Sequence, residues 1–447
     1  MTLNRRSFLM SALAPPALPQ AGEPHSAVVI TADNLGYGDI GCYGNREIRT
    51  PNLDAFARQG ARFTNFYTAS PTCTASRAAL LTGRHPLRYG LNYQLSPAEN
   101  MTGIGLPQSE RLIPAYLKPR GYATACIGKW NLGFAPGSRP TERGFDEFFG
   151  HRSGNMDYYT HLYNGELDTY RGIEPVRMEG YCTDLFAGAA CDFLRRHSRR
   201  KFFLYLAFNA PHYPNPRNLR PGEKLEWQAP PEYFRRYGYQ PDEADERKRY
   251  RAVVTALDDA FGRVIRQIDA LKLTNRTLIW FYSDNGAFMQ PGRGLEVASN
   301  APLRGGGATC QEGGIRVAAM ARWPGRIPAG GTCRELLSSL DILPHVFGAS
   351  QTPHPDGLVL DGRDPAAVLA GKAASPHEAL CFEYLNQQAV RSGRWKLLRP
   401  GKDRRWQLFD LEKDVGESVD VAERQPEVAS RLAGRFEQWR REIQAPR

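Results

Sequence analysis

Four segments of the chain are apolar almost without interruption. They are His25–Asp33 (around Ala27-Val28-Val29-Ile30-Thr31), Tyr122–Ile127, Phe202–Phe208 and Thr277–Tyr282. Continuous β-branched and aromatic runs of this length are what a strand buried on both faces needs, so each predicts a parallel strand. Other stretches repeat every three to four residues. Val253, Val254, Leu257, Phe261, Val264, Ile265, Ile268 and Leu271 form one stripe and predict a helix over Arg251–Leu273. A second helix is expected within Leu106–Gly121, where Ile113, Tyr116 and Leu117 share a side. A third opens at Thr50-Pro51, with Thr50 as the cap and Pro51 at the first position. Ala78-Ala79-Leu80-Leu81 followed by Gly83 predicts a fourth. Strands alternating with helices imply an α/β fold, a mostly parallel sheet with helices on both faces. The polar residues Asp33, Lys129, His212 and Asp284 each follow the end of an expected strand. In such sheets the ligand site lies beyond the carboxyl ends of the strands, so these four segments converge on one pocket.

The pattern changes after Pro344. A glycine- and alanine-rich connection, Gly357–Ser375, precedes short expected strands at 379–384, 389–398 and 406–411 and a last helix over Pro426–Ile443. This predicts a small C-terminal antiparallel sheet packed by one helix. Residues 211–245, rich in Pro, Arg and Tyr, read as a long surface excursion. The organisation expected is an N-terminal segment 1–24, a main domain 25–356 and a C-terminal subdomain 357–447.

Composition changes the picture only in part. The 447 residues are 41% hydrophobic and 23% charged, ordinary for a folded domain. The net charge of +11 suits acidic substrates and equally suits general solubility. No zinc-finger-like cysteine spacing and no basic-aromatic patch points to nucleic acid. Asn4-Arg5-Arg6-Ser7-Phe8-Leu9-Met10 resembles a twin-arginine export signal, so a periplasmic or secreted protein is expected. The apolar run Phe8–Ala14 that follows is too short to span a bilayer, and no transmembrane anchor is expected. Spacing leaves the pairing of the eight cysteines open.

The candidate chemistry centres on PTCTASRAALLTGR, residues 71–84. Cys73 falls at a helix N-terminus, where free N–H groups and the dipole favour negative charge, and Arg77 lies one turn further on the same face. A nucleophile, an anion-binding helix end and a cation together suit an oxyanion ester. A Cys-x-x-x-Arg taken alone also fits a buried cysteine on an amphipathic helix. The whole string, Cys-x-Ala-x-Arg followed by Ala-Ala-Leu-Leu-Thr-Gly-Arg, resembles the type I sulfatases of the alkaline phosphatase superfamily, with Ala75 at a position where most members carry proline. The resemblance implies that a formylglycine-generating enzyme oxidises Cys73 to formylglycine, whose hydrated aldehyde is the nucleophile.

Asp33, Asn34, Asp284 and Asn285 are hard oxygen donors suited to Ca²⁺ or Mg²⁺, although isolated Asp-Asn pairs after strands are usually turn residues. Their strings, ADNLGYGDIGCYG and FYSDNGA, resemble the family's two metal-binding segments, which with Cys73 imply a Ca²⁺ or Mg²⁺ site. The family usually has Asp-Asp in the first, so Asn34 removes one negative charge. Asp39 in the same string is read as structural. Lys129 in Gly-Lys-Trp-Asn-Leu-Gly matches the sulfate-contacting lysine, and His212 in Ala-Pro-His-Tyr-Pro matches the histidine that protonates the leaving alcohol. Asn131 stands where the family commonly has the histidine that deprotonates the sulfated hydrate; an amide holds a hydroxyl but is no base near neutral pH. Gly307 stands where the family has a sulfate-binding lysine, and Arg304 is the candidate replacement cation. Arg391–Lys396 resembles the family's C-terminal subdomain.

The expected function is hydrolysis of an aryl or carbohydrate sulfate, with Cys73, Arg77, Lys129 and His212 catalytic and Lys129, Asn131, His212 and Arg304 on the substrate. The alternatives are a phosphate or phosphonate monoester hydrolase on the same fold, or a binder of sulfated ligands that does not turn over. The loops 152–171 and 211–245 are the expected recognition segments, where Tyr158, Tyr159 and Tyr163 suit either sugar stacking or packing.

Overall fold

The computed structural model describes residues 25–96, 104–214, 218–219, 227–289, 296–402 and 404–444. The expected export segment 1–24 and part of the 211–245 excursion lie outside the described residues. Among the described residues no helix is long and apolar enough to cross a membrane, and none of the eight cysteines is in a disulfide.

Five parallel strands make the centre of a ten-stranded sheet: β1 (Ser26–Ala32), β2 (Ala123–Lys129), β3 (Glu147–His151), β4 (Phe202–Ala207) and β5 (Thr277–Ser283), in the order β5-β1-β4-β2-β3. Antiparallel partners continue it at both ends, Ala319–Arg322 beside β5 and Tyr170–Arg171 beside β3. Every residue of β1, β2, β4 and β5 is buried, as the unbroken apolar runs require. Alternate residues feed two cores. Val28, Ile30 and Ala32 face the helices α1 (Pro51–Gln59), α3 (Cys182–Arg196) and α4 (Glu246–Ala270). Ala27 and Val29 face α2 (Cys73–Thr82) and α5 (Ile342–Ser350).

Three expectations shift. The long helix starts at Glu246, five residues before the expected Arg251, because Asp245 caps it by accepting from the N–H groups of Arg247 and Lys248. The segment 106–121 holds only one α turn, Ile113–Leu117, closed by a 3₁₀ turn at Lys118–Arg120. Pro119 there supplies no N–H, so the helix cannot continue. Thr50 precedes α1 but does not cap it through its side chain; its hydroxyl instead accepts from Gly41 N–H at 2.8 Å. Strand β3 and helix α3 were not read from the pattern, although Phe186, Ala190, Phe193 and Leu194 of α3 keep helical spacing and are buried.

The expected small C-terminal antiparallel sheet is present, but with four strands (Leu380–Tyr384, Gln387–Ser392, Trp395–Arg399 and Gln407–Asp410) in place of three, because the segment 389–398 turns back on itself at Gly393, φ 54°. One face packs α6 (Pro426–Gln444) through Leu432 and Phe436, and the other packs on Tyr67, Cys310 and Ile315 of the main domain.

Candidate active site

Register alone brings the first two acidic segments together. In the parallel pair β1–β5, Ala32 stands opposite Ser283, so Asp33 and Asp284 leave the sheet side by side. Asp284 N–H donates to Ala32 O at 3.0 Å, and Asn34 N–H donates to Asp284 Oδ1 at 3.1 Å. Asn34 takes a positive φ of 61°, a conformation asparagine tolerates better than most residues. Asp33, Asn34, Asp284 and Asn285 are all buried. Asn285 Nδ2 donates to Asn34 Oδ1 at 2.5 Å, and Asn285 Oδ1 is buried without a partner among the described residues.

Helix α2 runs into this cluster N-terminus first. Cys73 is its first residue, and Gly83 ends it in the left-handed region at φ 66°. All ten helix residues are buried. Cys73 Sγ donates to Asp33 Oδ1 at 3.2 Å and lies 3.6 Å from Asn34 Oδ1. Burial, reinforced by the Asp33 charge, pushes the Cys73 thiol well above its ordinary value. As a thiol it is therefore protonated, and the cations around it serve another charge.

Arg77, expected to be catalytic, is buried inside the cluster. Its Nε donates to Asp284 Oδ2 at 2.9 Å, and its Nη2 lies 2.6 Å from Asp284 and 3.8 Å from Asp33. Its Nη1 donates to Lys129 O and to the Tyr205 hydroxyl, both at 3.2 Å. The guanidinium thus clamps the segments after β1, β2 and β5 together. Lys129, the last residue of β2, reaches Asp33 Oδ2 with Nζ at 2.5 Å. Burial, then repulsion by Asp33, raises the Asp284 carboxyl, whereas Arg77 and Lys129 pull it back.

His212 follows β4 in a loop tied to the site by Asp33 N–H donating to Ala210 O at 3.0 Å. An oxygen of Asp33, the sulfur of Cys73 and a nitrogen of His212 all lie within 4.8 Å of one another. His212 Nδ1 is 2.6 Å from Tyr213 O, a carbonyl that only accepts, so Nδ1 carries the hydrogen. Burial and the Lys129 charge lower His212 to about 3, which keeps the ring neutral at rest. Tyr158, a stacking candidate, instead packs flat on Tyr181 at 5.3 Å and donates its hydroxyl to His212 O at 2.8 Å.

Asn131 is buried at φ 54° beside the end of β2, and neither of its amide atoms has a partner among the described residues. At Gly307 a Cβ would come within 2.6 Å of the Phe288 ring and 2.9 Å of Gly286 O, so the structure is closed to a side chain there. Arg304 is not brought to the cluster. It is exposed, and its guanidinium donates to Glu417 O at 2.7 Å, anchoring the C-terminal subdomain. Asp39, by contrast, is structural as expected: it accepts from Gly36 N–H, Ser299 N–H and the Tyr250 hydroxyl. Two residues the pattern did not single out also hold the site, Tyr205 through Arg77 and Gln94 by accepting from Thr74 N–H at 3.2 Å. Tyr205 was visible only as one more apolar strand residue, and Gln94 carried no signal.

A parallel sheet whose strand ends gather two carboxylates, a lysine, a histidine and a helix-borne cysteine has the groups of an enzyme that hydrolyses oxyanion esters. The family model for sulfatases matches residues 25–352, and the chain belongs to the sulfatase family. It is 32% identical over 413 residues to the N-acetylgalactosamine-6-sulfatase of Canis lupus familiaris, covering 87% of this chain and 74% of that one. It is 35% identical over 427 residues to human (Homo sapiens) arylsulfatase A, covering 88% and 77%. The crystal structure of Ps i-CgsB in complex with k-i-k-neocarrahexaose superposes with a TM-score of 0.83 at 29% identity, covering 93% of each chain. Members so named are sulfuric ester hydrolases, and this chain is an enzyme of that kind.

Proposed function

We propose that the protein is an exported hydrolase of carbohydrate sulfate esters, with formylglycine made from Cys73 by a formylglycine-generating enzyme and a bound Ca²⁺, or Mg²⁺ in its place. The observation that carries the reading is the meeting of Cys73, Asp33 and His212 within 4.8 Å at a helix N-terminus. Carbohydrate is favoured over aryl sulfate by two of the relatives, one named for an amino-sugar sulfate and one crystallised with a carrageenan-type oligosaccharide.

The donor set fits a hard cation. Asp33, Asn34, Asp284 and Asn285 offer only oxygens in the first sphere, and the unpartnered Asn285 Oδ1 is a ligand atom in waiting. When bound, the ion polarises the nucleophilic oxygen and relieves the repulsion between the two carboxylates. The chain's own residues do the rest. Lys129 and the N–H groups opening α2 take the sulfate oxygens. Arg77 keeps the three loops in register. His212 Nε2, free because Nδ1 is held by Tyr213 O, delivers a proton to the departing alcohol. A neutral ring cannot do so; the incoming anionic ester, by offsetting the Lys129 charge, raises the histidine's proton affinity. Asn131 holds a substrate or hydrate oxygen through its amide.

The test is co-expression with a formylglycine-generating enzyme, mass spectrometry of the residue-73 peptide, and assay of sulfate, phosphate and phosphonate esters. The expected outcome is an aldehyde at residue 73, sulfate-ester turnover, and loss of turnover in Cys73→Ala. Full activity with an unmodified thiol overturns the mechanism. Preference for phosphate or phosphonate esters reassigns the substrate, and saturable binding of sulfated glycan without turnover makes the protein a binder.

A further inference from the structure

A second buried imidazole stands next to the site. His151 is the last residue of β3 and is the register partner of Lys129, the last residue of β2. Adjacent strands in a parallel pair place register partners side by side, so the His151 and Lys129 side chains leave the same edge of the sheet. His151 is fully buried and stacks at 6.1 Å on Phe186 of α3. Its Nδ1 lies 3.4 Å from Ser153 Oγ and 3.9 Å from Asp168 Oδ2, whereas its Nε2 is buried with no partner among the described residues. Asp168 is itself held by the N–H groups of Arg152 and Ser153 at 3.1 and 2.9 Å. A ring with a hydroxyl at Nδ1, a carboxylate just beyond it and no partner at Nε2 among the described residues is arranged to accept a proton at Nε2. The chain lacks the family's base two residues along on the neighbouring strand, where Asn131 stands with both amide atoms unpartnered. The two strand ends are bonded together there: Trp130 N–H donates to His151 O at 2.9 Å and Asn131 N–H donates to Arg152 O at 3.1 Å.

We propose that His151 accepts at Nε2 the proton whose loss releases sulfate, replacing the histidine absent from position 131. The inference rests on the formylglycine reading. In the step, the remaining hydroxyl on the sulfate-bearing carbon of residue 73 gives its proton to His151 Nε2. The O–H electron pair becomes the second C–O bond of the aldehyde, and the C–O bond to sulfate breaks with its pair leaving on sulfate. The imidazolium returns its proton to water. The groups facing His151 are Lys129 from β2, Arg77 from α2, His212 from the loop after β4, His161 and Asp168. Burial and the first of these charges hold the ring neutral, the form able to accept a proton. Asp168 stabilises the charge it gains.

The experiment uses the full chain carrying formylglycine, a chromogenic aryl sulfate, and rapid-quench digestion with mass spectrometry of the residue-73 peptide. In His151→Gln, kcat is expected to fall about 10²-fold, the usual contribution of a general base. A sulfate adduct should accumulate on residue 73, and adding Asn131→His should restore release. A slow variant without the adduct, an unchanged kcat, or no rescue by Asn131→His overturns the proposal while leaving the formylglycine reading intact. A parent enzyme with no aldehyde or no turnover brings down the reading and the proposal with it. Long-range ¹⁵N–¹H spectra of the unoxidised chain give a readout independent of activity and of whether the variants fold. The neutral tautomer protonated on Nδ1 is expected for His151; a hydrogen on Nε2 overturns the proposal.

Discussion

Gly307 is decided by its neighbours. Its N–H donates to Ala287 O at 2.9 Å, and the half-buried Phe288 ring and Gly286 O occupy the space a Cβ would enter. Simply reinstating the family's lysine is therefore expected to fail. Gly307→Lys should lower stability by about 1–3 kcal/mol, as overpacking does, without raising turnover. Combining it with Phe288→Ala should recover part of that loss, because the ring contact is removed and only the backbone contact remains. Thermal unfolding of the two variants beside the parent measures this. Cys73, Lys129 and His212 were legible as a converging set from the helix start and strand ends they occupy, whereas their roles came only from the resemblance of their strings to the family's. Arg77 and Arg304 were legible as cations only. Which acceptor each one meets depends on segments more than a hundred residues away, the Asp284 carboxylate for the first and the Glu417 backbone carbonyl for the second.

At the scale of elements, the sheet was readable because burial on both faces forces unbroken apolar runs, and β1, β2, β4 and β5 have them. Strand β3 escaped because its five residues mix Glu147, Gly150 and His151 with two phenylalanines. That omission hid His151. Helix α5 shows how a packed element carries pH dependence. His345 on α5 is buried against Trp280 of β5, accepting from its indole N–H at 3.2 Å, and burial lowers its pKa to about 3. The unfolded chain takes up the proton near pH 6.5 and the folded one does not until far lower. Stability is thus fully present above about pH 6.5 and is lost as pH falls toward about 3. Between pH 7 and 5 the loss from this one ring approaches about 2 kcal/mol. Urea denaturation at the two pH values should show it, and His345→Gln should have a smaller difference between them than the parent.

Across the whole molecule, the C-terminal sheet supports the catalytic helix through a chain of contacts. Lys396 is fully buried between Glu312 at 2.8 Å and Glu417 at 3.2 Å, and Glu312 also accepts from the Tyr67 hydroxyl at 2.7 Å. Gln387 accepts from Cys310 N–H and donates to Ala308 O, and Ala308 N–H donates to Pro71 O, two residues before Cys73. Lys396, with Arg316 at 3.3 Å, holds Glu312 down at about 2 against the effect of burial, so removing the lysine weakens that hold and leaves Glu417 buried without its cation. Lys396→Met is expected to destabilise the protein by about 3–5 kcal/mol, measured by chemical denaturation. Arg304, on the carbonyl of Glu417, belongs to the same boundary between the C-terminal sheet and the main sheet.

The sequence by itself determined the alternation of strands and helices, the mostly parallel sheet, the small C-terminal sheet with its helix, and the residue types that make a sulfatase. Those follow from periodicity and from short strings, which are local. Only the tertiary structure decided what each charge meets: that Arg77 clamps Asp284, that Arg304 turns to Glu417, that Phe288 closes position 307, and that His151 stands beside Lys129. Pairings of this kind arise from strand register and from contacts between distant segments, and no local pattern of residues encodes them.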